Sequence, residues 1–360
     1  MYYYCKEVIV SMDDIDLQRI VEIEYNITIV KGELLNTGLI NVTWKLICQS
    51  NECYILQQIN TDVFNNPFII DNNMKKLQNY INDNPNKYQD ASKIFLNPIH
   101  TINNDTMLIY DNKYYRLYNY IISKTITMIN KKDIAYEAAY TFGKFTKVFN
   151  DFDPNKLELT IVDFHNLPLR YQQFETALKH GNKDRINLAQ NEIALLCQLN
   201  YLCDKFNNFV KNAKIRVQHH DTKITNILFD DNDKAIYVID LDTVMGGFFI
   251  SDLGDMIRTY CSPVDENEAD LNKIYIREDY LQAVIDGYLI AMGDSLTEFE
   301  INHAYFSGEV LIYMQSLRFL TDYLNDDKYY KVSYENHNYI RACNQLCLLQ
   351  HLQNYIKDLK

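Results

Sequence analysis

Positive charge is the scarcer sign in this chain: 35 Lys and Arg stand against 48 Asp and Glu in 360 residues, a net charge of −13. Nucleic acid and anionic membrane surfaces both reward basic patches, so neither is expected as the main partner. A nucleotide is not excluded, because a divalent ion and a few local cations hold a triphosphate inside an acidic protein. No apolar run is long enough to span a bilayer. The opening residues, MYYYCKEVIV, lack a basic leader and a small-residue cleavage site. The eight cysteines show neither C-x-x-C nor a zinc-ligand spacing. A cytoplasmic chain is therefore expected, its reduced thiols packed as small hydrophobes. No internal repeat and no low-complexity linker interrupts it. The length allows two domains with substantial cores.

Up to about residue 121 the pattern is that of a small α+β unit. A short amphipathic helix carries Ile15, Leu17, Ile20 and Val21, and passes into a strand over residues 25–30. After a turn holding Asn36 and Gly38 come two β-like runs, residues 41–48 and 53–59, separated by a polar turn. Residues 71–83 repeat apolar positions at helical spacing, and a further β pair spans 107–110 and 114–122. Beyond residue 122 helical patterns dominate, over 132–150, 184–210, 277–291, 298–324 and 338–358. The expected architecture is α+β and two-lobed, like a protein kinase. A small β-rich lobe, residues 1–121, would bind nucleotide; a larger, mainly helical lobe, residues 122–360, would carry the chemistry.

That chemistry is concentrated in residues 219–242, HHDTKITNILFDDNDKAIYVIDLD. Asp221 and Asn226 bound a short polar run. A strand (227–229), an Asp/Asn turn and a second strand (235–239) follow, and the second strand ends in Asp240. A hairpin brings its flanks together, so Asp221, Asn226 and Asp240 are predicted to converge. Phosphoryl transfer needs such a set: a carboxylate near the attacking hydroxyl, and an Asn and an Asp to hold Mg²⁺ against the phosphates. H-x-D-x-K-x-x-N followed by I-D is the kinase pairing of catalytic loop and metal loop. Asp221 is then the base, and Asn226 a Mg²⁺ ligand rather than an Asx turn. Asp240 is the principal ligand, because a carboxylate closing an apolar run is costly without a cation. Asp242 lies on the same face if the strand continues, either as a second ligand or as support for Asp240. Lys223 suits neutralisation of the transferred phosphate; the plainer account is a surface ion pair. His219 is expected to hydrogen-bond the loop backbone, and His220 has no assigned role.

With those residues placed, the chain resembles the aminoglycoside phosphotransferase and choline kinase superfamily, and more closely the N-acetylhexosamine 1-kinases. The similarity runs in order through GLINVTW (38–44), YILQQIN (54–60), FGKF (142–145) and DFHNLPLRYQQF (163–174). It continues through HHDTKITNILFD (219–230), VIDLDTVMGG (238–247), DLGDMIR (252–258) and LRFLTDYL (317–324). H-x-D with I-D points only to the superfamily; D-T-K, I-D-L-D-T, Y-I-L-Q-Q and R-F-L-x-D-Y-L together suggest the narrower group. The resemblance implies ATP- and Mg²⁺-dependent in-line transfer to the anomeric hydroxyl of an N-acetylhexosamine.

Some positions depart from the pattern. Gln57 stands where protein kinases carry a phosphate-pairing Lys, and the turn at 36–38 lacks a full G-x-G-x-x-G. The segment written G-H-I-N-T-T in the related kinases has Leu39 in place of the His, which leaves Asn41 and Thr43 as candidate sugar contacts. The backbone from Arg116 through Tyr118 to Tyr120 is expected against adenine. His165 and Arg170 read equally as sugar contacts or as a surface turn before a helix. Arg318 interrupts an apolar helix face, so it either pairs with a buried acid such as Asp255 or donates to a sugar or phosphate oxygen. The competing functions are a kinase for another hexose, choline or an aminoglycoside, and a nucleotide-binding pseudokinase. Retention of Asp221, Asn226 and Asp240 together argues against the last.

Overall fold

The computed structural model describes residues 15–35, 40–85 and 94–359; the turn at 36–38 and Leu39 lie outside them. The chain divides into two compact units, Met1–Ser123 and Lys124–Lys360. In the first, α1 (Ile15–Tyr25) precedes β1 (Ile29–Leu35), β2 (Val42–Cys48) and β3 (Cys53–Gln58). Then follow α2 (Pro67–Asn82), β4 (Leu108–Tyr110) and β5 (Lys113–Asn119). The strands form one antiparallel sheet in the order β1-β2-β3-β5-β4. Alternation along each strand sends Leu46, Leu56, Tyr115 and Leu117 to the face that packs on Leu17, Val21 and Tyr25 of α1. Tyr25 therefore closes the helix and does not open a strand as expected. Its spacing from Leu17 and Val21 continues the helical stripe, and Asn26 breaks the helix with φ 51°. α2 starts ahead of the predicted 71–83 because Asn66 caps it, accepting from the Phe68 N–H at 3.2 Å, with Pro67 in the first turn.

The second unit opens with β6 (Lys124–Thr125) and α3 (Lys132–Val148), then α4 (Leu167–His180), α5 (Lys183–Leu188), α6 (Gln190–Gln198) and α7 (Tyr201–Asn212). The β elements β7 (Arg216–Gln218), β8 (Ile227–Phe229), β9 (Ala235–Val238) and β10 (Met245–Gly247) come next. Helices complete the unit: α8 (Phe249–Tyr260), α9 (Glu278–Met292), α10 (Glu298–Ile301), α11 (Ala304–Leu324) and α12 (His337–Asp358). The predicted single helix over 184–210 is three, broken at Ala189 and near Leu199, and that over 298–324 breaks before Ala304. α3 packs on α9, and α11 on both α8 and α12. Gly254 lets α8 meet α11 directly, since a Cβ there would collide with the Ser307 carbonyl. That contact fixes α8, which carries the residues that hold the loop over 219–222. No helix among the described residues is long and apolar enough to cross a membrane.

Candidate active site

The β8–β9 hairpin pairs Ile227 with Val238, and the Ile239 N–H then donates to the Asn226 carbonyl at 2.9 Å. The ladder thus ends with Asn226 beside the start of the Asp240 turn. On its other side, Asn226 Nδ2 donates to the Asp221 carbonyl at 2.9 Å and to Asp221 Oδ2 at 3.3 Å. The remaining Asp221 oxygen, Oδ1, lies 2.9 Å from Lys223 Nζ. Burial works against the Lys223 charge, but the Asp221 carboxylate outweighs it and raises the ammonium above the ordinary lysine range. The surface ion pair and the loop lysine are therefore the same contact.

Asp240 takes a left-handed conformation, φ 61° and ψ 59°, at the head of a 3₁₀ turn over Leu241–Thr243. The strand does not continue to Asp242, so the two carboxylates do not share a strand face as expected; Asp242 is 1% exposed inside the turn. Among the described residues no group of three or more His, Cys, Asp and Glu could hold a metal by itself. The donor set at the hairpin end still fits Mg²⁺. That ion takes one or two protein carboxylates and completes its octahedron with phosphate and water. With its nitrogen turned to Asp221, Asn226 keeps its amide oxygen as the atom that could meet such an ion.

Two aspartates of α8 grip the loop from behind. Asp252 accepts the His219 N–H (2.9 Å) and the His220 N–H (2.7 Å), one on each oxygen. Asp255 accepts the Thr222 N–H at 3.1 Å and pairs with Arg258 at 3.0 Å. Tyr260 Oη donates to the Thr222 carbonyl at 2.5 Å. Burial pushes Asp252 up to about 7, against the pull of its two N–H donors. His219 bridges loop and hairpin, as expected: its Nδ1 accepts the Asp221 N–H (3.3 Å), which assigns the proton to Nε2 facing the Ile239 carbonyl (3.0 Å). His220 is left-handed, φ 65°. DLGDMIR is part of the family resemblance, yet the sequence alone assigns Asp252 no role. The signal was there: a D-x-x-D spacing puts both carboxylates on one helix face.

The remaining candidates fall into two groups. In the first unit, register places Thr43 opposite Gln57, Gln57 opposite Arg116, and Tyr118 opposite Ile55. The Tyr120 N–H extends the ladder to the Cys53 carbonyl at 3.1 Å. Thr43, Gln57, Arg116, Tyr118 and Tyr120 therefore share the sheet face away from α1. Gln57 Oε1 accepts from Arg116 Nε (3.0 Å) and Nη2 (2.6 Å), and Arg116 is 4% exposed. Asn41 uses its Oδ1 to accept the Asn60 N–H at 3.0 Å. In the second unit, His165 stacks on Phe164 at 4.5 Å, and its Nδ1 lies 3.5 Å from that of His220. Arg170 Nη2 donates to the carbonyls of Asp163 (2.8 Å) and Phe164 (3.1 Å). Arg318 does not pair with Asp255, which Arg258 occupies; it donates to Gln315 Oε1 at 3.2 Å and lies over the Tyr330 and Phe164 rings.

The model of the phosphotransferase enzyme family matches residues 99–292. The chain belongs to that family. Solved structures agree. An aminoglycoside phosphotransferase from Alicyclobacillus acidocaldarius superposes with a TM-score of 0.60 at 9% identity, over 93% of this chain and 95% of that one. A microcompartment-associated aminopropanol kinase gives 0.61 at 13% identity, over 96% and 98%. A spectinomycin phosphotransferase in complex with ADP and spectinomycin gives 0.56 at 14%, over 94% and 99%. At such identities the likeness establishes the fold, and it is the α+β kinase-like fold expected from the sequence. The segment matched to the phosphotransferase family contains the whole hairpin, Asp252, His165, Arg170 and Arg116; Asn41, Thr43, Gln57 and Arg318 lie outside it.

Proposed function

We propose that this member of the phosphotransferase family transfers the γ-phosphoryl group of ATP, with Mg²⁺, to a hydroxyl of a small polar acceptor. The observation that carries this is the end of the β8–β9 hairpin, where Asp221, Asn226 and Asp240 are gathered and Lys223 lies on the Asp221 carboxylate. Bound Mg²⁺ would neutralise phosphate charge, held by Asn226 and Asp240 with Asp242 behind them. Asn226 and Lys223 fix the Asp221 carboxylate. Asp221 takes the acceptor proton as the acceptor oxygen forms the new P–O bond and the bond to the bridging oxygen breaks. ADP then leaves, and no covalent enzyme intermediate forms. Lys223 is placed to share its charge between Asp221 and the moving phosphoryl group. Gln57, Arg116, Tyr118 and Tyr120 are the proposed nucleotide residues, supported by their common sheet face.

For the acceptor we propose the anomeric hydroxyl of an N-acetylhexosamine, on the strength of the motifs shared with the N-acetylhexosamine 1-kinases. Asn41, Thr43, His165, Arg170 and Arg318 are its proposed contacts. An anomeric hydroxyl is more acidic than an ordinary alcohol and asks less of Asp221. A second acceptor class, amino alcohols and aminoglycosides, is favoured by the fold neighbours, whose names include the aminopropanol kinase and an ethanolamine kinase from Plasmodium vivax, 14% identical. A coupled ADP-release panel of N-acetylglucosamine, N-acetylgalactosamine, galactose, choline and kanamycin separates the two, with phosphorus NMR locating the phosphate. Turnover of an N-acetylhexosamine to its 1-phosphate is expected. Turnover confined to choline or kanamycin would replace the first acceptor with the second.

A further inference from the structure

In a chain with an excess of acids, most arginines of the second unit have an obvious counter-charge. Arg185, Arg216, Arg258 and Arg341 each lie within ion-pair distance of an Asp or Glu. Arg277 donates through its two terminal nitrogens to the backbone carbonyls of Ile129, Tyr260 and Ser262, its Nε remaining without a partner among the described residues. Arg170 and Arg318 are the exceptions: among the described residues neither reaches a carboxylate at that distance. Asp163, in the loop before α4, accepts from Asn166 at 2.9 Å and offers Arg170 its backbone carbonyl.

Both arginines converge on one residue. Arg170 Nη2 donates to the Phe164 carbonyl, and the Arg318 guanidinium lies 5.9 Å from the Phe164 ring. Arg318 also lies 5.4 Å from the Tyr330 ring and 5.8 Å from that of Tyr329. Arg170 Nε is buried and has no hydrogen-bond partner. Next to them, His165 stacks on Phe164 and touches His220, the residue before Asp221. Burial, then the Arg318 charge, lowers the proton affinity of Arg170, so the two cations feel each other. Burial and the neighbouring cations also keep His165 neutral, which leaves the guanidinium groups as the charge carriers here. Two like charges in a half-buried site, with fork donors to spare, are stabilised by a planar or tetrahedral oxyanion.

We propose that Arg170 and Arg318 together bind an anionic oxygen group of the acceptor, a carboxylate or a phosphate ester, so that the acceptor is an acidic alcohol. The inference rests on the kinase function proposed above and narrows its acceptor class. It disfavours cationic aminoglycosides and amino alcohols. Within the hexosamine class it selects a sugar with an acidic substituent away from the reacting hydroxyl.

A matched ligand series tests it: N-acetylglucosamine, its 6-phosphate, its 6-carboxylate, its 3-O-carboxymethyl ether, and cationic glucosamine. Calorimetric binding and ADP release are measured for the full chain and for Arg170→Met and Arg318→Met. At least one acidic member should bind tenfold or more tighter than the neutral parent, and whether carboxylate or phosphate wins names the source. Each substitution should erase that preference while KM for ATP stays within twofold. Arg170 also ties two loop carbonyls, so Arg170→Lys is measured alongside; it keeps the charge but loses the fork and should lose at least threefold in the same ligand. Equal or tighter binding of the neutral or cationic member overturns the inference, as does a rise in KM for ATP matching the loss of acceptor affinity. Arginine-dependent binding of an acid without ADP release from any member would leave the inference standing and remove the kinase function.

Discussion

Asp221, Asn226 and Asp240 belong to one hairpin and are held by bonds between near neighbours in the chain. Thr43, Gln57, Arg116 and Tyr118 come from three different strands, and only the pairing register puts them on one face. The first arrangement survives as long as one hairpin and its loop stay folded. The second is lost by a one-residue slip of any of those strands, which would turn that strand's candidates toward α1 and part them from the rest. A further difference lies in what stands behind each. The 219–222 loop is gripped by two buried aspartates of α8, whereas the amide that Arg116 meets on Gln57 is neutral. Loss of the polar side chains at the hairpin end should therefore abolish chemistry with little loss of stability. Disruption of the sheet face should do the reverse.

The largest effect is expected for Asp221→Asn. The amide keeps the size of the carboxylate but cannot take the acceptor proton, so kcat should fall by roughly 10³-fold. The melting temperature and calorimetric ATP binding should change little, since the β8–β9 ladder does not use this side chain. Turnover within tenfold of the parent would mean that the base lies elsewhere.

Asp252→Asn should come next. An amide has one acceptor oxygen for two buried N–H donors, so one is left facing a donor, at about 1–3 kcal/mol or roughly ten- to a hundredfold in kcat. Protonation of the native carboxyl has the same effect, so kcat of the parent should fall as pH drops through about 7, and the variant should be lower and flat there. Stability runs the other way. The folded-state pKa of about 7 lies above the ordinary 3.8, so the folded chain binds this proton more tightly than the unfolded one. The stabilisation that the proton brings is complete below the ordinary value and is lost as pH rises toward 7. Urea midpoints across that range check the sign. A midpoint difference between parent and variant that does not change with pH would show that Asp252 is not the titrating group.

The contrast between the two regions also explains what the sequence could be made to tell. The hairpin was legible because short apolar strands flank an Asp/Asn turn and the acids stand at their ends, all within one local pattern. Strand pairs of the first unit were legible for the same reason, while the α1–β1 junction was not: Tyr25 suits a helix stripe and a strand equally, and Asn26 decides it by turning left-handed. α8 went unnamed although Phe249, Ile250, Leu253, Met256, Ile257 and Tyr260 recur at helical spacing; what the apolar stripe does not explain is why Asp252, Gly254 and Asp255, off that stripe, are buried as well. Those are the positions that bond the loop or admit α11. Of the two readings of Arg318, a pair with Asp255 does not occur, because Asp255 has a nearer cation one helical turn on, in Arg258; the reading as a donor to a sugar or phosphate oxygen stays open. Burial of charge predicts a partner without saying which.

The smallest effect on turnover is expected for Gln57→Leu, and it bears most directly on the comparison. The substitution takes the shared acceptor from two N–H donors of an arginine that is 4% exposed. Stability should fall by about 1–3 kcal/mol, while kcat stays within a few-fold. If the sheet face also serves the nucleotide, KM for ATP should rise several-fold, because the Arg116 guanidinium then loses the amide oxygen that orients it on the face it shares with Tyr118. Gln57→Glu separates position from charge. A carboxylate keeps the fork and makes it charge-assisted, so stability should recover or exceed that of the parent. The added negative charge should nevertheless keep KM for ATP high if phosphates pass near this face. Recovery of both quantities would confine Gln57 to holding the sheet together, and the nucleotide contacts of the first unit would then have to be sought among other residues.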